Sequence, residues 1–120
     1  MKKILIVDDE PNIVMSLEYT FKKNNFEVFI ARDGQEALET LERQHPDLII
    51  LDVMMPMVDG FSTLEQIKKN PELENCKVVF LSAKNKEQDI KKGLSLGANL
   101  YITKPFSLKK LVEQVQELLN

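Results

Sequence analysis

The 120-residue sequence has little cysteine and no long apolar run, and each shortage excludes a class of protein. A single cysteine, Cys76, rules out a disulfide framework within one chain and a cysteine-based zinc site, and it fits a reducing compartment. No stretch approaches the roughly 20 apolar residues of a membrane-spanning helix. The N-terminal sequence MKKILIVDDE has acids directly after a short apolar run, unlike a secretory signal. We therefore expect a cytoplasmic protein with no membrane partner.

An excess of one charge sign is also lacking. The chain has 16 Lys and Arg against 19 Asp and Glu, and the formal net charge is −3. A domain that binds nucleic acid would show a basic stripe, so we expect no direct nucleic-acid binding. No linker, repeat or low-complexity segment interrupts the chain, and its length suits one hydrophobic core. We predict one domain over residues 1–120.

Short apolar runs alternate with amphipathic segments five times along the chain. The runs that predict strands are 4–7, 28–31, 48–51, 78–81 and 100–102. Three of them lack polar alternation, which is typical of strands buried on both faces of a sheet. The segments that predict helices are 13–23, 34–44, 61–70, 86–97 and 107–119, with Pro11 and Ser107 at helix starts. The pattern of 86–97 is the poorest, with Ile90 and Leu94 on the apolar face and Gly93 in mid-helix. This alternation predicts a doubly wound α/β fold, a five-stranded parallel sheet with helices on both faces.

Polar residues stand at the carboxyl ends of four predicted strands, where such folds bind their ligands. They are Asp8 and Asp9 after the first strand, Asp52 after the third, Ser82 at the fourth and Lys104 after the fifth. Any one of them alone would more often form a turn or cap a helix. Carboxylates brought together repel one another unless a cation joins them, and oxygen ligands suit Mg²⁺. With a lysine and a hydroxyl beside them, the set predicts phosphoryl transfer to a carboxylate.

Four motifs resemble the receiver domain of bacterial two-component response regulators. They are ILIVDDE, PDLIILDVMMPMVDG, LSAK and GANLYITKPFSLKKL, and they cover essentially the whole chain in order. The resemblance implies a flavodoxin-like sheet with strand order 2-1-3-4-5. It also implies a phosphoacceptor signalling domain, similar to stand-alone chemotaxis-type regulators. Such a domain is no enzyme beyond its own self-catalysed phosphotransfer and autodephosphorylation.

The resemblance assigns the metal and phosphoryl roles to matching positions. Asp52 corresponds to the phosphoacceptor. Asp9 corresponds to a direct Mg²⁺ ligand, Asp8 to an acid that holds metal-bound water, and the backbone carbonyl of Met54 to a third protein ligand. Mg²⁺ is thus the implied cofactor.

The remaining roles implied by the resemblance concern the switch. Lys104 is expected to contact the phosphoryl group, and its bond to Pro105 is expected to be cis. Ser82 corresponds to the switch hydroxyl, and Tyr101 to the aromatic residue that follows it inward. Phosphorylation would shift the chain between two pre-existing states.

The implied partners are proteins. A sensor histidine kinase or a phosphotransfer protein would donate the phosphoryl group, and a downstream protein target or an effector domain would respond. The expected docking surface is the fourth helix, fifth strand and fifth helix, with Lys91, Lys92, Tyr101 and Phe106. Receivers that dimerise as winged-helix regulators often carry two acids before this tyrosine, where this chain has Asn99 and Leu100. We expect a stand-alone regulator, monomeric or weakly dimeric on phosphorylation, with a fragment of a longer regulator as the alternative.

Three other functions fit the sequence less well. A haloacid-dehalogenase-type phosphatase needs a second acid two residues after its nucleophile, where this chain has Met54. An FMN carrier of the same fold class needs a Ser-, Thr- or Gly-rich loop after the first strand, and DDEPN would repel a phosphate. A degenerate receiver would lack some of the polar positions, and all are present. Met55 and Met57 are expected to serve packing and loop shape.

Overall fold

The strands and helices alternate as the sequence predicts. The computed structural model describes residues 1–56 and 58–120, so the expectation for Met57 lies outside the described residues. The strands are β1 Lys3–Val7, β2 Glu27–Ala31, β3 Leu48–Leu51, β4 Lys77–Ser82 and β5 Leu100–Thr103. The helices are α1 Pro11–Lys23, α2 Gly34–Leu41, α3 Gly60–Lys68, α4 Glu87–Ser95 and α5 Leu108–Leu119, with a 3-10 turn at Pro71–Leu73. Within the described ranges every helix is too short to cross a membrane.

The five strands form one parallel sheet in the order β2-β1-β3-β4-β5, which confirms the predicted fold class and strand order. β3 is buried throughout, and β1 and β4 are buried beyond their first residue. The edge strands β2 and β5 are only partly buried. The runs without polar alternation are therefore the central strands, because helices cover both of their faces.

Two separate hydrophobic cores lie on opposite faces of the sheet, since successive strand residues point to opposite sides. On one face, Ile4, Ile6 and Ile50 pack with apolar residues of α1 and α5. On the other face, Leu5 and Ile49 pack with those of α2 and α3. Both cores extend to the carboxyl ends of the strands, so side chains pack against this edge of the sheet on both of its faces.

The first turns of three helices are fixed by side-chain caps. Asp33 accepts a hydrogen bond from the backbone of α2, Asp59 from that of α3, and Ser107 from that of α5. Each cap satisfies an N–H group that has no partner within its own helix. Pro11 opens α1, where its missing N–H costs least. The predicted starts at Pro11 and Ser107 are thus confirmed.

Helix α4 differs from its prediction. Helical spacing predicts that Leu94 lies on the buried face, but Leu94 is 45% exposed. Gly93 is the buried residue of this helix. A Cβ at Gly93 would lie 2.8 Å from Cδ2 of Tyr101 and 3.0 Å from Cδ2 of Phe80. The glycine that weakens the helix pattern therefore allows α4 to lie directly on two aromatic rings.

Candidate functional site

Three of the predicted polar residues meet at the rim of the sheet. Asp8 and Asp52 follow β1 and β3 and are only 2% and 4% exposed. Lys104 follows β5 and reaches back to them, with Nζ 3.0 Å from Oδ2 of Asp8 and 3.3 Å from Oδ2 of Asp52. The peptide bond between Lys104 and Pro105 is cis, as the resemblance implied.

A third carboxylate, which the sequence analysis missed, belongs to Glu10. Its Oε1 accepts a hydrogen bond from Lys104 Nζ at 2.8 Å. One carboxylate oxygen from each of Asp8, Glu10 and Asp52 lies within 4.8 Å of the others. Glu10 is the N-cap residue of α1 but makes no side-chain cap bond, which leaves its carboxylate for Lys104. The sequence signal that could have identified Glu10 is the unbroken run of three acids before Pro11.

Asp9 lies apart from this group. Asp9 is exposed to solvent. Together with Asp8 and Arg32, it lines a surface cavity of about 210 Å³ next to α1. The carboxylate cluster of the described residues contains Glu10 in its place. The role of Asp9 as a direct metal ligand therefore stays a prediction.

Both oxygens of the Asp52 carboxylate are held. Oδ1 accepts a hydrogen bond from the Met54 backbone N–H at 3.2 Å, and Oδ2 faces Lys104. The chain after Asp52 folds back sharply, with Gly60 N–H donating to Val53 O at 2.9 Å. Any Cβ at Gly60 would collide with the backbone oxygen of Asp52. Glycine at this position therefore allows the start of α3 to lie against the Asp52 backbone, and the Met54 carbonyl remains a predicted ligand.

The ionisation of the cluster reflects one cation shared among three acids. Burial alone would lower the pKa of Lys104, but its hydrogen bonds to Glu10 and Asp8 and the charge of Asp52 outweigh burial and raise it. Burial raises the pKa of Asp8, with a smaller contribution from Asp52, despite hydrogen bonds from the Glu10 backbone and Lys104. A raised pKa favours the charged form of Lys104 but the neutral form of Asp8. The two residues differ in this way because Lys104 has three acceptors, whereas each acid shares one ammonium with the others.

The donor set of this cluster fits a hard divalent cation. Three carboxylates against one ammonium leave two negative charges. All side-chain ligands offered are oxygens, which Mg²⁺ prefers. The cluster is thus a candidate site for a divalent cation next to a carboxylate nucleophile and a lysine.

Ser82 and Tyr101 are connected through the backbone of one residue, Lys84. Ser82 is fully buried at the end of β4, and its Oγ accepts a hydrogen bond from Lys84 N–H at 3.2 Å. The carbonyl of Lys84 accepts a hydrogen bond from the Tyr101 hydroxyl at 2.7 Å. Ser82 also touches the cluster's lysine, because its own carbonyl accepts from Lys104 N–H at 2.8 Å. Backbone and hydroxyl hydrogen bonds thus run from the rim to Tyr101.

The Tyr101 ring lies half-buried between β4 and α4. It packs on Phe80 with ring centroids 5.6 Å apart, and Gly93 leaves the room for it. Burial raises the pKa of its phenol. Tyr101 could be identified from the sequence, whereas the roles of Gly93 and of the Lys84 backbone could not, because neither uses a chemically distinctive side chain at these contacts.

The known proteins that this chain resembles belong to one family. A family profile described as the response regulator receiver domain matches residues 4–116. The chain is 42% identical over 119 residues to the alkaline phosphatase synthesis transcriptional regulatory protein PhoP of Bacillus subtilis (strain 168). That match covers 99% of the chain and 49% of PhoP, so the chain spans about half the length of this curated relative.

Solved structures agree in fold over nearly the full chain. The receiver domain of the Francisella response regulator 1452 is 34% identical with a TM-score of 0.91, covering 99% of this chain and 97% of that one. The chemotaxis protein CheY4 of Vibrio cholerae is 29% identical with a TM-score of 0.92, covering 99% of both chains.

Proposed function

The chain belongs to the response regulator receiver domain family, and on that premise we propose that Asp52 accepts a phosphoryl group from a phosphohistidine. The donor is a sensor histidine kinase or a phosphotransfer protein. One observation carries this proposal. Asp52 is a nearly buried carboxylate at a strand end, with one oxygen held by a backbone N–H and the other facing Lys104. A carboxylate held in this way is oriented for attack before the donor arrives.

The transfer needs positioning and charge neutralisation more than covalent help from the protein. An oxygen of Asp52 forms the new bond to phosphorus as the bond from phosphorus to the donor imidazole nitrogen breaks. The electron pair of the broken bond stays on the imidazole. Lys104 donates to oxygens that carry the developing negative charge, and its raised pKa keeps it protonated at neutral pH.

Mg²⁺ is the cofactor that we propose for this site. Asp9, Asp52 and the Met54 carbonyl would hold it, Asp8 through water, and it would offset the charge of the phosphoryl group. The two negative charges left in the cluster of Asp8, Glu10 and Asp52 support a divalent cation. The chain then acts as a phosphoacceptor that also loses its own phosphoryl group, without turning over a separate substrate.

The output is a change of surface, not a reaction product. Ser82 would turn toward a phosphoryl group on Asp52, and its bond to the Lys84 backbone connects that motion to Tyr101. The affected surface is α4, β5 and α5, and a downstream protein target or an effector domain would read it there. PhoP is named as a transcriptional regulatory protein and is about twice as long, so an effector domain that regulates transcription is the alternative to stand-alone action. We place this activity in the cytoplasm, in a monomer or a weak phosphorylation-dependent dimer.

Phosphorylation by a small donor tests the acceptor. The purified chain is mixed with acetyl phosphate or phosphoramidate and Mg²⁺, and intact mass is followed for the addition of one phosphoryl group. Wild type should gain the group and Asp52→Asn should not, while the control Asp33→Asn, a helix cap elsewhere, should react as wild type. Equal labelling of Asp52→Asn would falsify the assignment.

Metal binding is tested separately by titration of Mg²⁺ without any donor. Asp9→Ala should weaken binding if Asp9 is a direct ligand. Unchanged affinity would remove Asp9 from the metal site and leave Asp8, Glu10 and Asp52 as its carboxylates.

A further inference from the structure

The exposed carboxylate of Glu10 is the nearest acceptor of the Lys104 ammonium. The Nζ to Oε1 distance is 2.8 Å, against 3.0 Å to Asp8 and 3.3 Å to Asp52. The Glu10 side chain is 55% exposed, whereas the other two acids are almost fully buried. The shortest contact of the lysine is therefore made with the acid that can leave most easily.

The ammonium has no donor to spare. A lysine ammonium offers three N–H groups, and Lys104 faces three acceptors. To donate to a phosphoryl oxygen it must release one of them. Asp8 stands at a strand end with its other oxygen bound to the Glu10 backbone N–H at 2.9 Å, and Asp52 carries the phosphoryl group itself. Only the Glu10 side chain can turn into solvent without leaving a buried charge unpaired.

We propose that Glu10 is a positioning residue that holds Lys104 over the empty acceptor and gives up its place to a phosphoryl oxygen. The proposal rests on Asp52 being the phosphoacceptor. In the resting chain, the Glu10 carboxylate keeps the lysine ordered at the rim. It also stands beside the path of the anionic donor, so its charge slows the arrival of the group that replaces it.

Removing only the negative charge of Glu10 separates its hold on Lys104 from its repulsion of the anionic donor. Glu10→Gln keeps the length of the side chain and an oxygen that accepts from Lys104, but it no longer repels an anion. Acetyl phosphate with Mg²⁺ should then label Asp52 about fivefold faster, the factor that one unit charge at roughly 4 Å produces in water. The gain should shrink as salt is added, because the charge is exposed and screened.

The matched control is Glu65→Gln, an exposed glutamate on α3. It should label at the wild-type rate at every salt concentration. Equal rates for Glu10→Gln and wild type at low salt, or a gain that salt does not reduce, overturn the proposal. If wild type takes no label at Asp52, the proposed function fails and this inference fails with it.

A second readout needs neither Mg²⁺ nor a donor. An amine-acylating reagent is applied to the metal-free chain, and modification of each lysine is measured by peptide mass spectrometry. In Glu10→Ala, Lys104 loses its nearest acceptor and should be acylated several times faster, while Lys109 on α5 should not change. Unchanged acylation of Lys104 shows that Glu10 does not hold it, whatever the phosphorylation assay gives.

Discussion

Replacing Lys104 by methionine should leave the carboxylate cluster without its only cation among the described residues. The side chain of Lys104 is 10% exposed, and it faces Asp8 and Asp52 at 3.0 and 3.3 Å. Methionine has a similar length and no charge, so the change removes the ion pairs with little change in volume. The expected result, without divalent cations at neutral pH, is a clear loss of stability.

The size of the loss follows from burial. Breaking a buried ion pair by removing one partner costs about 3–5 kcal/mol, because the other charge is left uncompensated. The contact with exposed Glu10 adds less than about 1 kcal/mol. We expect roughly 3 kcal/mol, the lower end, because the cluster lies at a rim that water can enter. With about 2.1 cal/mol/K per residue over 120 residues, this corresponds to a fall in Tm of about 12 °C.

The pH dependence has a definite sign. The pKa of Asp8 is raised in the folded chain, so the folded state binds a proton more readily and stability falls as pH rises above about 3.8. Without Lys104 this fall should steepen, so the difference between variant and wild type should be large at pH 7 and small near pH 4. The raised pKa of Lys104 means that its own contribution in wild type is complete below about 10.5 and is lost at higher pH.

Urea unfolding at pH 7 and pH 4, followed by circular dichroism, measures these differences. The control is Lys109→Met, an exposed lysine on α5, which should change stability by less than about 0.5 kcal/mol. Mg²⁺ should stabilise Lys104→Met more than wild type, because the cluster then carries three net negative charges instead of two. A variant as stable as wild type at pH 7, or one equally weakened at pH 4, would refute the electrostatic reasoning.

Three further outcomes follow from contacts outside the cluster. Gly93→Ala gains about 1 kcal/mol of helix propensity, but its Cβ meets the Tyr101 ring, so the ring should turn outward. The phenol pKa, raised by burial, should then fall toward 10, measured by ultraviolet titration in a Tyr19→Phe background; an unchanged pKa means that the ring has not moved. Ser107→Ala should cost about 1 kcal/mol in urea unfolding, and no loss would show that the cap of α5 is dispensable. Cys76 is buried, which raises its pKa to about 12, so a thiol reagent at pH 8 should react with it only on unfolding.

The strand ends could be predicted because buried strands can be recognised from the sequence alone. Uninterrupted apolar runs mark the central strands, and parallel strands bring their carboxyl ends to one edge. This was enough to bring Asp8, Asp52 and Lys104 together. It did not identify Glu10, because the side-chain direction beyond Val7 depends on how the chain turns into α1.

The error at α4 has a similar physical origin. Helical spacing identifies an apolar face, but it does not show how closely the helix approaches the sheet. Here the approach is so close that only Gly93 fits, and Leu94 lies at the exposed edge. The packing partners, Phe80 and Tyr101, are distant in sequence, so no local pattern contains this information.

The link between Ser82 and Tyr101 uses only main-chain atoms of Lys84. Its N–H and its carbonyl make the two bonds, and its side chain makes neither. Almost any amino acid could therefore stand at this position and preserve the link, with proline the exception because it lacks the N–H. A substitution at position 84 can thus change the charge and shape of the surface beside the proposed docking face while both hydrogen bonds of the internal link are kept.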